Sequence, residues 1–118
     1  MNFTYNIATI NLNSTINLIY KMLLKDFLHN HDVDIAFLQE VVYEDFSFVS
    51  NYNSIVNINS DKTGTAFLLK KNVVYKHQIL DLSGSLLSVV VNGINFVNVY
   101  AFSGTNKKSN VTIFSSIK

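Results

Sequence analysis

A short apolar run that leads directly into Gln-Glu constrains this chain more than any other feature. Five of the six residues from Val33 to Leu38 are apolar, and Gln39 and Glu40 follow at once. A run of this length predicts a β-strand that is buried on both faces. Because a carboxylate is costly inside such a strand, Glu40 is expected where the strand leaves the sheet. Glu40 is therefore the most informative single residue in the sequence.

Composition limits the class of protein. The 118 residues suit one small domain, and a hydrophobic fraction of 48% with 14% charged residues is enough to build a core. The net charge of +1 is too small to indicate nucleic-acid binding by itself. Arginine is absent, so any phosphate contact must come from lysine, backbone or metal, and the absence of cysteine excludes disulfides and thiolate metal sites.

No membrane partner is expected. No apolar run reaches the length of a membrane span. The N-terminus lacks the basic start and continuous apolar block of a signal peptide. We therefore expect an intracellular protein, and the sequence leaves its compartment open, the nucleus included.

Apolar periodicity predicts a strand, a helix and a second strand in the first 40 residues. Residues 3–11 form the first strand, with Asn13 or Ser14 as the expected N-cap of the helix. The helix carries one apolar stripe at helical spacing, and Asn30-His31-Asp32 ends it. The stripe comprises Ile16, Ile19, Tyr20, Leu23, Leu24, Phe27 and Leu28.

The size of this strand-helix-strand unit predicts a right-handed crossover between two parallel strands. The C-terminal ends of the two strands then lie at the same edge of the sheet, where ligands of open α/β sheets bind. Asn11 ends the first strand, Asn13 follows it, and Glu40 ends the second strand. The geometry of the unit therefore brings these three residues toward one another.

The rest of the chain predicts several short strands. Residues 45–49 indicate a short helix or a turn, Asn92-Gly93 is the strongest hairpin signal, and residues 111–118 are expected to begin a helix. The predicted fold is one α/β (α+β) unit over residues 1–118, in which a mixed layered sheet starts as βαβ and continues as an antiparallel meander. The predicted strands are residues 52–58, 65–69, 73–82, 86–91 and 94–100.

Four motifs resemble those of the endonuclease/exonuclease/phosphatase superfamily, in the same order and with similar spacing. Ala8–Asn13 looks like its first strand, which ends in Trp-Asn-x-Asn/Asp, and Asp34–Glu40 is similar to the apolar strand that delivers Gln-Glu. Gly64–Leu69 resembles its Gly-x-Ala strand, and Val97–Ala101 its Val-Tyr-Ala-Pro motif. The short linkers look most like the apurinic-endonuclease-type nucleases of non-LTR retrotransposons.

The resemblance implies roles for five residues. Glu40 would be the carboxylate ligand of a catalytic Mg²⁺ or Mn²⁺, and Asn13 would occupy the position often held by an acidic second ligand. Asn11 would lie beside the metal or the scissile phosphate, and Tyr100 would hydrogen-bond that phosphate. Gln39 would support the site. Mg²⁺ takes oxygen ligands and needs only one or two carboxylates, so the implied activity is metal-dependent phosphodiester hydrolysis, endonuclease-like and on DNA.

The sequence departs from the family pattern in two residues and in length. Ile10 replaces the usual Trp, and Phe102 replaces the usual Pro. The family fold is a four-layer sandwich of two similar halves, and this chain corresponds to the N-terminal half. The other half carries the Asp-x-Asn pair, a further Asp and the terminal Ser-Asp-His, none of which follows Tyr100 here. We therefore expect an inactive or very weak chain, with an uncovered apolar sheet face that associates with a second copy or with a chain supplying the other half.

Plainer interpretations of the same residues stay open. Glu40 also fits a solvated residue at a strand end, Asn11 and Asn13 fit turn and cap positions, and Tyr100 fits an aromatic packed at a sheet edge. On that interpretation the chain is a non-catalytic remnant or an interaction module. Within the superfamily, a phosphatase or lipid phosphodiesterase is not separated from a nuclease.

Overall fold

The computed structural model describes residues 4–59, 62–79 and 85–100. The strands form a four-stranded sheet of order β1-β2-β4-β3 and a three-stranded sheet of order β5-β6-β7. The predicted class is confirmed, with one correction: the meander is divided between two sheets. The elements are β1 Ile7–Asn11, α1 Leu18–Asn30, β2 Ile35–Val41, β3 Tyr52–Ile58, β4 Gly64–Lys70, β5 Tyr75–Ile79, β6 Leu86–Val91 and β7 Ile94–Val99.

The predicted crossover is present at the start of the fold. β1 and β2 pair in parallel, with Ile7 opposite Ile35 and Asn11 opposite Gln39, and α1 connects them. β2 and β3 then both pair antiparallel with β4. This order leaves β1 and β3 at the two edges of the mixed sheet.

Both faces of β2 are buried, as its apolar sequence predicts. Ala36 packs with Leu24 and Leu28 of α1 in one apolar cluster. Ile35 faces the other way and packs with Phe67 in the cluster between the two sheets. β2 therefore lies between two apolar cores, and a charged side chain can reach solvent only at the ends of this strand.

The helix begins later than its sequence pattern predicts. Asn17 is the N-cap, and its side chain accepts a hydrogen bond of 2.7 Å from the Ile19 amide. The expectation that Asn13 or Ser14 caps the helix is wrong, because both belong to the loop after β1 and have φ of 55°. The loop after β1 therefore does not cap the helix.

The apolar stripe of α1 is only partly buried. Leu24 and Leu28 are its buried members. Tyr20 and Leu23 stay 57% and 55% exposed. The exposed members of the stripe are Ile16, Ile19, Tyr20, Leu23 and Phe27. In the described part of the chain, the exposed large apolar side chains are thus concentrated on and before α1, whereas the sequence predicted them on a sheet face.

Two glycines fix tight backbone geometry. A Cβ at Gly64 would lie 1.8 Å from the Asn57 carbonyl oxygen, so only glycine permits this approach of β3 and β4. Asn92 and Gly93 have φ of 53° and 77°, as a two-residue hairpin between β6 and β7 requires. The predicted hairpin is therefore confirmed.

The segment between β2 and β3 is a turn and not a helix. The Val49 amide donates to the Phe46 carbonyl at 3.0 Å, and both side chains are buried. Residues 101–118, with Phe102 and the predicted last helix, lie outside the described residues. Within the described ranges, no helix has both the length and the apolar character that crossing a bilayer requires.

Candidate active site

A β-bulge interrupts the end of β2 at Glu40. Gln39 pairs with Thr65 and Val41 pairs with Gly64, so Glu40 is an extra residue between them. Its φ of 52° lies in the left-handed region, which costs a residue with a Cβ roughly 1–2 kcal/mol. Bulges redirect side chains next to active sites, and backbone strain of this kind is concentrated at functional sites.

The bulge removes the carboxylate from the core face of the strand. Ala36 and Leu38 point toward the cluster beneath α1, and strict alternation would place Glu40 there next. Val41 takes that position instead and is fully buried. Glu40 is therefore presented, half-buried, at the C-terminal edge of the sheet.

The loop after β1 lies against this bulge. The Leu12 amide donates to the Gln39 carbonyl at 2.9 Å, and the Ser14 amide donates to the Glu40 carbonyl at 3.1 Å. The Ser14 hydroxyl is 3.5 Å from Oε1 of Glu40. These bonds place the end of β1 and the end of β2 side by side at one edge.

Asn11 and Asn13 occupy the same loop. The Asn13 amide donates to Oδ1 of Asn11 at 2.8 Å, which closes a local turn. Oδ1 of Asn11 therefore already accepts a hydrogen bond, and the donor of this side chain is its Nδ2 group. The structure places Asn11, Asn13 and Glu40 on adjacent segments of one sheet edge.

A polar network that extends from exposed Thr9 through half-buried Gln39 to buried Asn98 lies beside the bulge. Nε2 of Gln39 is 3.0 Å from the Thr9 hydroxyl and 3.0 Å from Oδ1 of Asn98. Asn98 is 1% exposed, and its Nδ2 donates to the carbonyls of Leu38 at 2.9 Å and Ala66 at 2.8 Å. One side chain of β7 therefore ties the second sheet to β2 and β4 beside Glu40.

Asn98 lies within the motif Val97–Ala101, but the motif assigns it no role. The available signal was a lone amide between apolar residues of a predicted strand. Such a residue must find hydrogen-bond partners if it is buried. Its partners are backbone carbonyls distant in sequence, so the pattern alone did not identify them.

Tyr100 lies on the second sheet, just beyond the end of β7. It follows Asn98 by two positions, and its amide donates to the Ser85 carbonyl at 3.0 Å. Because Asn98 contacts the end of β2, Tyr100 is at the same end of the sandwich as Glu40. It belongs to a different layer of the fold from Asn11 and Asn13.

The donor atoms at this edge suit a hard divalent cation. No group of three or more His, Asp or Glu side chains occurs among the described residues, so a zinc-type cluster is not present there. Mg²⁺ and Mn²⁺ prefer oxygen ligands and keep several waters. Within the described ranges, the hydrogen-bond partner of the Glu40 carboxylate is the Ser14 hydroxyl at 3.5 Å, and the residues present therefore fit such an ion.

A groove of about 480 Å³ runs from this edge between β1 and α1. Thr9, Asn11 and Asn13 contribute polar groups at the strand side, and Leu23 and Phe27 contribute apolar groups at the helix side. An apolar groove beside the edge strand therefore borders the candidate site.

The opposite end of β2, where the strand begins, carries paired charges. Lys70 forms an ion pair with Asp32 and lies 3.6 Å from Asp34, and the hydrogen bond to Asp32 raises the pKa of Lys70. The Tyr52 hydroxyl donates to the Val33 carbonyl, and burial raises the pKa of Tyr52. These contacts secure the N-terminal end of β2, away from Glu40.

Known proteins resemble this chain in structure but not in sequence. No family model matches it, and no curated protein sequence matches it. A truncated Caenorhabditis elegans TDP2 superposes with a TM-score of 0.70 at 21% identity, over 94% of this chain and 52% of that chain. An AP endonuclease from Archaeoglobus fulgidus gives 0.68 at 12% identity, over 97% and 49%. A humanized D. rerio TDP2 gives 0.67 at 16% identity, over 94% and 53%.

These superpositions establish the fold. The chain has the fold of the endonuclease/exonuclease/phosphatase superfamily, as its motifs predict. It spans about half the length of the solved structures that it matches.

Proposed function

We propose that this chain forms the metal-binding half of a Mg²⁺- or Mn²⁺-dependent phosphodiester hydrolase, endonuclease-like and acting on DNA. The observation that carries the proposal is the bulge at Glu40. Glu40 has a left-handed backbone in this bulge, and its carboxylate lies at the sheet edge where Asn11 and Asn13 lie. The structural likeness to an AP endonuclease supports the same reaction class.

Each side chain has a distinct task in the proposed site. Glu40 binds the cation, and Asn13 lies where a second oxygen ligand is needed. Asn11 donates from Nδ2 to a phosphate oxygen, because its Oδ1 already accepts from the Asn13 amide. Tyr100 hydrogen-bonds the phosphate from the second sheet, and Gln39 fixes the strand end by bonding between layers. The bound cation supplies the electrophile that polarises the phosphodiester and stabilises the leaving oxygen.

In this function, residues 1–118 act as one partial domain. The chain spans about half of the solved structures it matches, and a nucleophilic water also needs a general base. No histidine lies in the cluster of Glu40, Asn11 and Asn13 among the described residues. The chain alone is therefore expected to bind the ion without rapid turnover.

Metal binding is the decisive test because it does not require turnover. Mn²⁺ added to the isotope-labelled chain is expected to broaden the amide signals of the loop after β1 and of the β2 bulge. Glu40→Gln is expected to abolish this broadening. Glu44→Gln, which removes an exposed carboxylate four residues along the chain, is the matched control and leaves the broadening intact. Broadening that survives in Glu40→Gln would mean that the ion binds elsewhere.

Activity is tested separately with supercoiled plasmid and with an abasic-site duplex, each in Mg²⁺ or Mn²⁺. Little or no cleavage by the isolated chain is expected. Cleavage that disappears in Glu40→Gln would support the site and show that half of the fold is sufficient for turnover. Equal cleavage by both proteins would indicate a contaminant. Activity on a phosphomonoester or phospholipid in place of DNA would reassign the substrate.

A further inference from the structure

Strand β1 is an open edge of the mixed sheet. β2 is its one partner within the described ranges. The Asn6 carbonyl accepts from the Ile35 amide at 3.2 Å and the Leu12 amide donates to Gln39, so even-numbered residues bond toward β2. The amide and carbonyl groups of the odd-numbered positions therefore point outward. Such an edge is a template for one further β-strand.

This edge lacks the protection that edge strands usually carry. Natural edges are blocked by charged side chains, proline or a bulge. Residues 1–20 contain no charged residue and no proline, and β1 pairs with β2 without a register shift. Ile7, on the strand itself, is 50% exposed.

An apolar helix face borders the same edge. Tyr20, Leu23 and Phe27 lie on the side of α1 that lines the groove along β1, and Ile10 and Leu12 line the same groove. They are 57%, 55% and 39% exposed. The stripe has the periodicity of a buried helix face, so the sequence provides apolar surface that the described part of one chain does not cover.

We propose that this surface, made of the β1 edge with Tyr20, Leu23 and Phe27, binds a second copy of the chain by two-fold antiparallel pairing of β1 with β1. An axis normal to the sheet joins two four-stranded sheets into one and places both α1 helices on the same side of the junction. The apolar sides of the helices then pack across the axis. Because the surface is uncharged, it meets its own copy without repulsion.

The apolar area available for burial between two copies is small, which indicates a dimer that forms only at higher protein concentration. Apolar side chains of this size present roughly 100 Å² each when about half exposed, so three of them supply on the order of 300 Å² per copy. A stable interface needs about 800 Å² per partner, and the strand edge must supply the remainder. The dimer is independent of metal binding, since antiparallel pairing places the two Glu40 residues at opposite ends of the joined strands.

The first test is sedimentation velocity over a wide range of protein concentration. The wild-type chain is expected to shift from monomer to dimer. Ile7→Lys and Leu23→Lys place a charge against its own copy and are expected to weaken the dimer by about tenfold or more. Met22→Lys is the matched control, since Met22 is 57% exposed but does not line the groove, and it leaves the dimer unchanged.

A cross-linking test is independent of any effect of lysine on folding. The chain has no cysteine, so single-cysteine variants report one contact each. Leu23→Cys is expected to form an intermolecular disulfide under mild oxidation, whereas Met22→Cys stays largely reduced. A monomer at every concentration would overturn the proposal and mean that the edge is covered within one chain, left open or kept for a different polypeptide. A dimer that cross-links through Met22→Cys and not through Leu23→Cys would overturn it as well.

Discussion

Replacing Asn98 with alanine is expected to destabilise the fold by about 3–5 kcal/mol. Two buried hydrogen bonds and one partly buried hydrogen bond contribute about 0.5–1.5 kcal/mol each, and the partners left unsatisfied cost more. The side chain is 1% exposed. It donates to the carbonyls of Leu38 and Ala66 and accepts from Gln39. These bonds connect the two sheets beside the bulge, so the loss is expected to weaken Mn²⁺ binding at Glu40 as well as the fold.

Urea unfolding followed by far-UV circular dichroism measures the change. Asn95→Ala, at an exposed position of the same strand, is the matched control and is expected to stay within about 0.5 kcal/mol of wild type. Asn98→Asp keeps the size of the side chain but presents only acceptors to two carbonyls, so it is expected to be at least as damaging. A loss below about 1 kcal/mol for Asn98→Ala would refute the assigned role of the network.

Three further predictions concern the backbone at Glu40, the two glycines with tight geometry, and the Tyr52 and Lys70 contacts at the N-terminal end of β2. Glu40→Gly is expected to raise the free energy of unfolding by up to about 1 kcal/mol in urea titrations while abolishing Mn²⁺ binding, whereas Glu40→Ala loses the ion without gaining stability. Gly64→Ala is expected to prevent folding or lower the melting temperature severely, because its Cβ would overlap a carbonyl. Gly93→Ala, with nothing within reach of its Cβ, costs only about 1 kcal/mol. The contribution of Tyr52 and Lys70 to the free energy of unfolding is expected to be fully present below the ordinary tyrosine pKa of about 10. It is expected to fall as pH rises through the raised pKa values of the two residues. Tyr52→Phe should reduce this pH dependence in thermal melts at alkaline pH.

Local patterns predicted the elements that depend on local forces. The apolar run before Gln39 and the apolar stripe from Ile16 to Leu28 predict a strand-helix-strand unit, because the spacing of apolar residues distinguishes a strand from a helix. Asn92-Gly93 determines a hairpin because both residues accept positive φ. These features were predicted correctly.

The remaining features depend on contacts between distant segments. The division of strands into two sheets follows from which apolar faces meet, and the sequence around Val73 contains no signal for it. The bulge is similar: nothing in Gln39-Glu40-Val41 indicates a left-handed residue, and its geometry follows from the alignment of β4 against β2. The sequence shows the apolar stripe of α1 but not how exposed it is, because exposure depends on which segment packs against the helix.

The strained backbone at Glu40 and the exposed apolar side of α1 can be altered by separate substitutions. Comparing those substitutions tests the metal site and the dimer in one set of experiments. The left-handed backbone at Glu40 is internal to the strand, so association of two chains leaves it in place. Association of two chains buries the exposed apolar side of α1, which contains no proposed metal ligand. Leu23→Lys should therefore disperse the dimer and keep the Mn²⁺-induced broadening, and Glu40→Gln should do the opposite. If Leu23→Lys removed both in a chain that still unfolds cooperatively, the metal site would depend on the second copy, and the assignment of a self-sufficient half would be wrong.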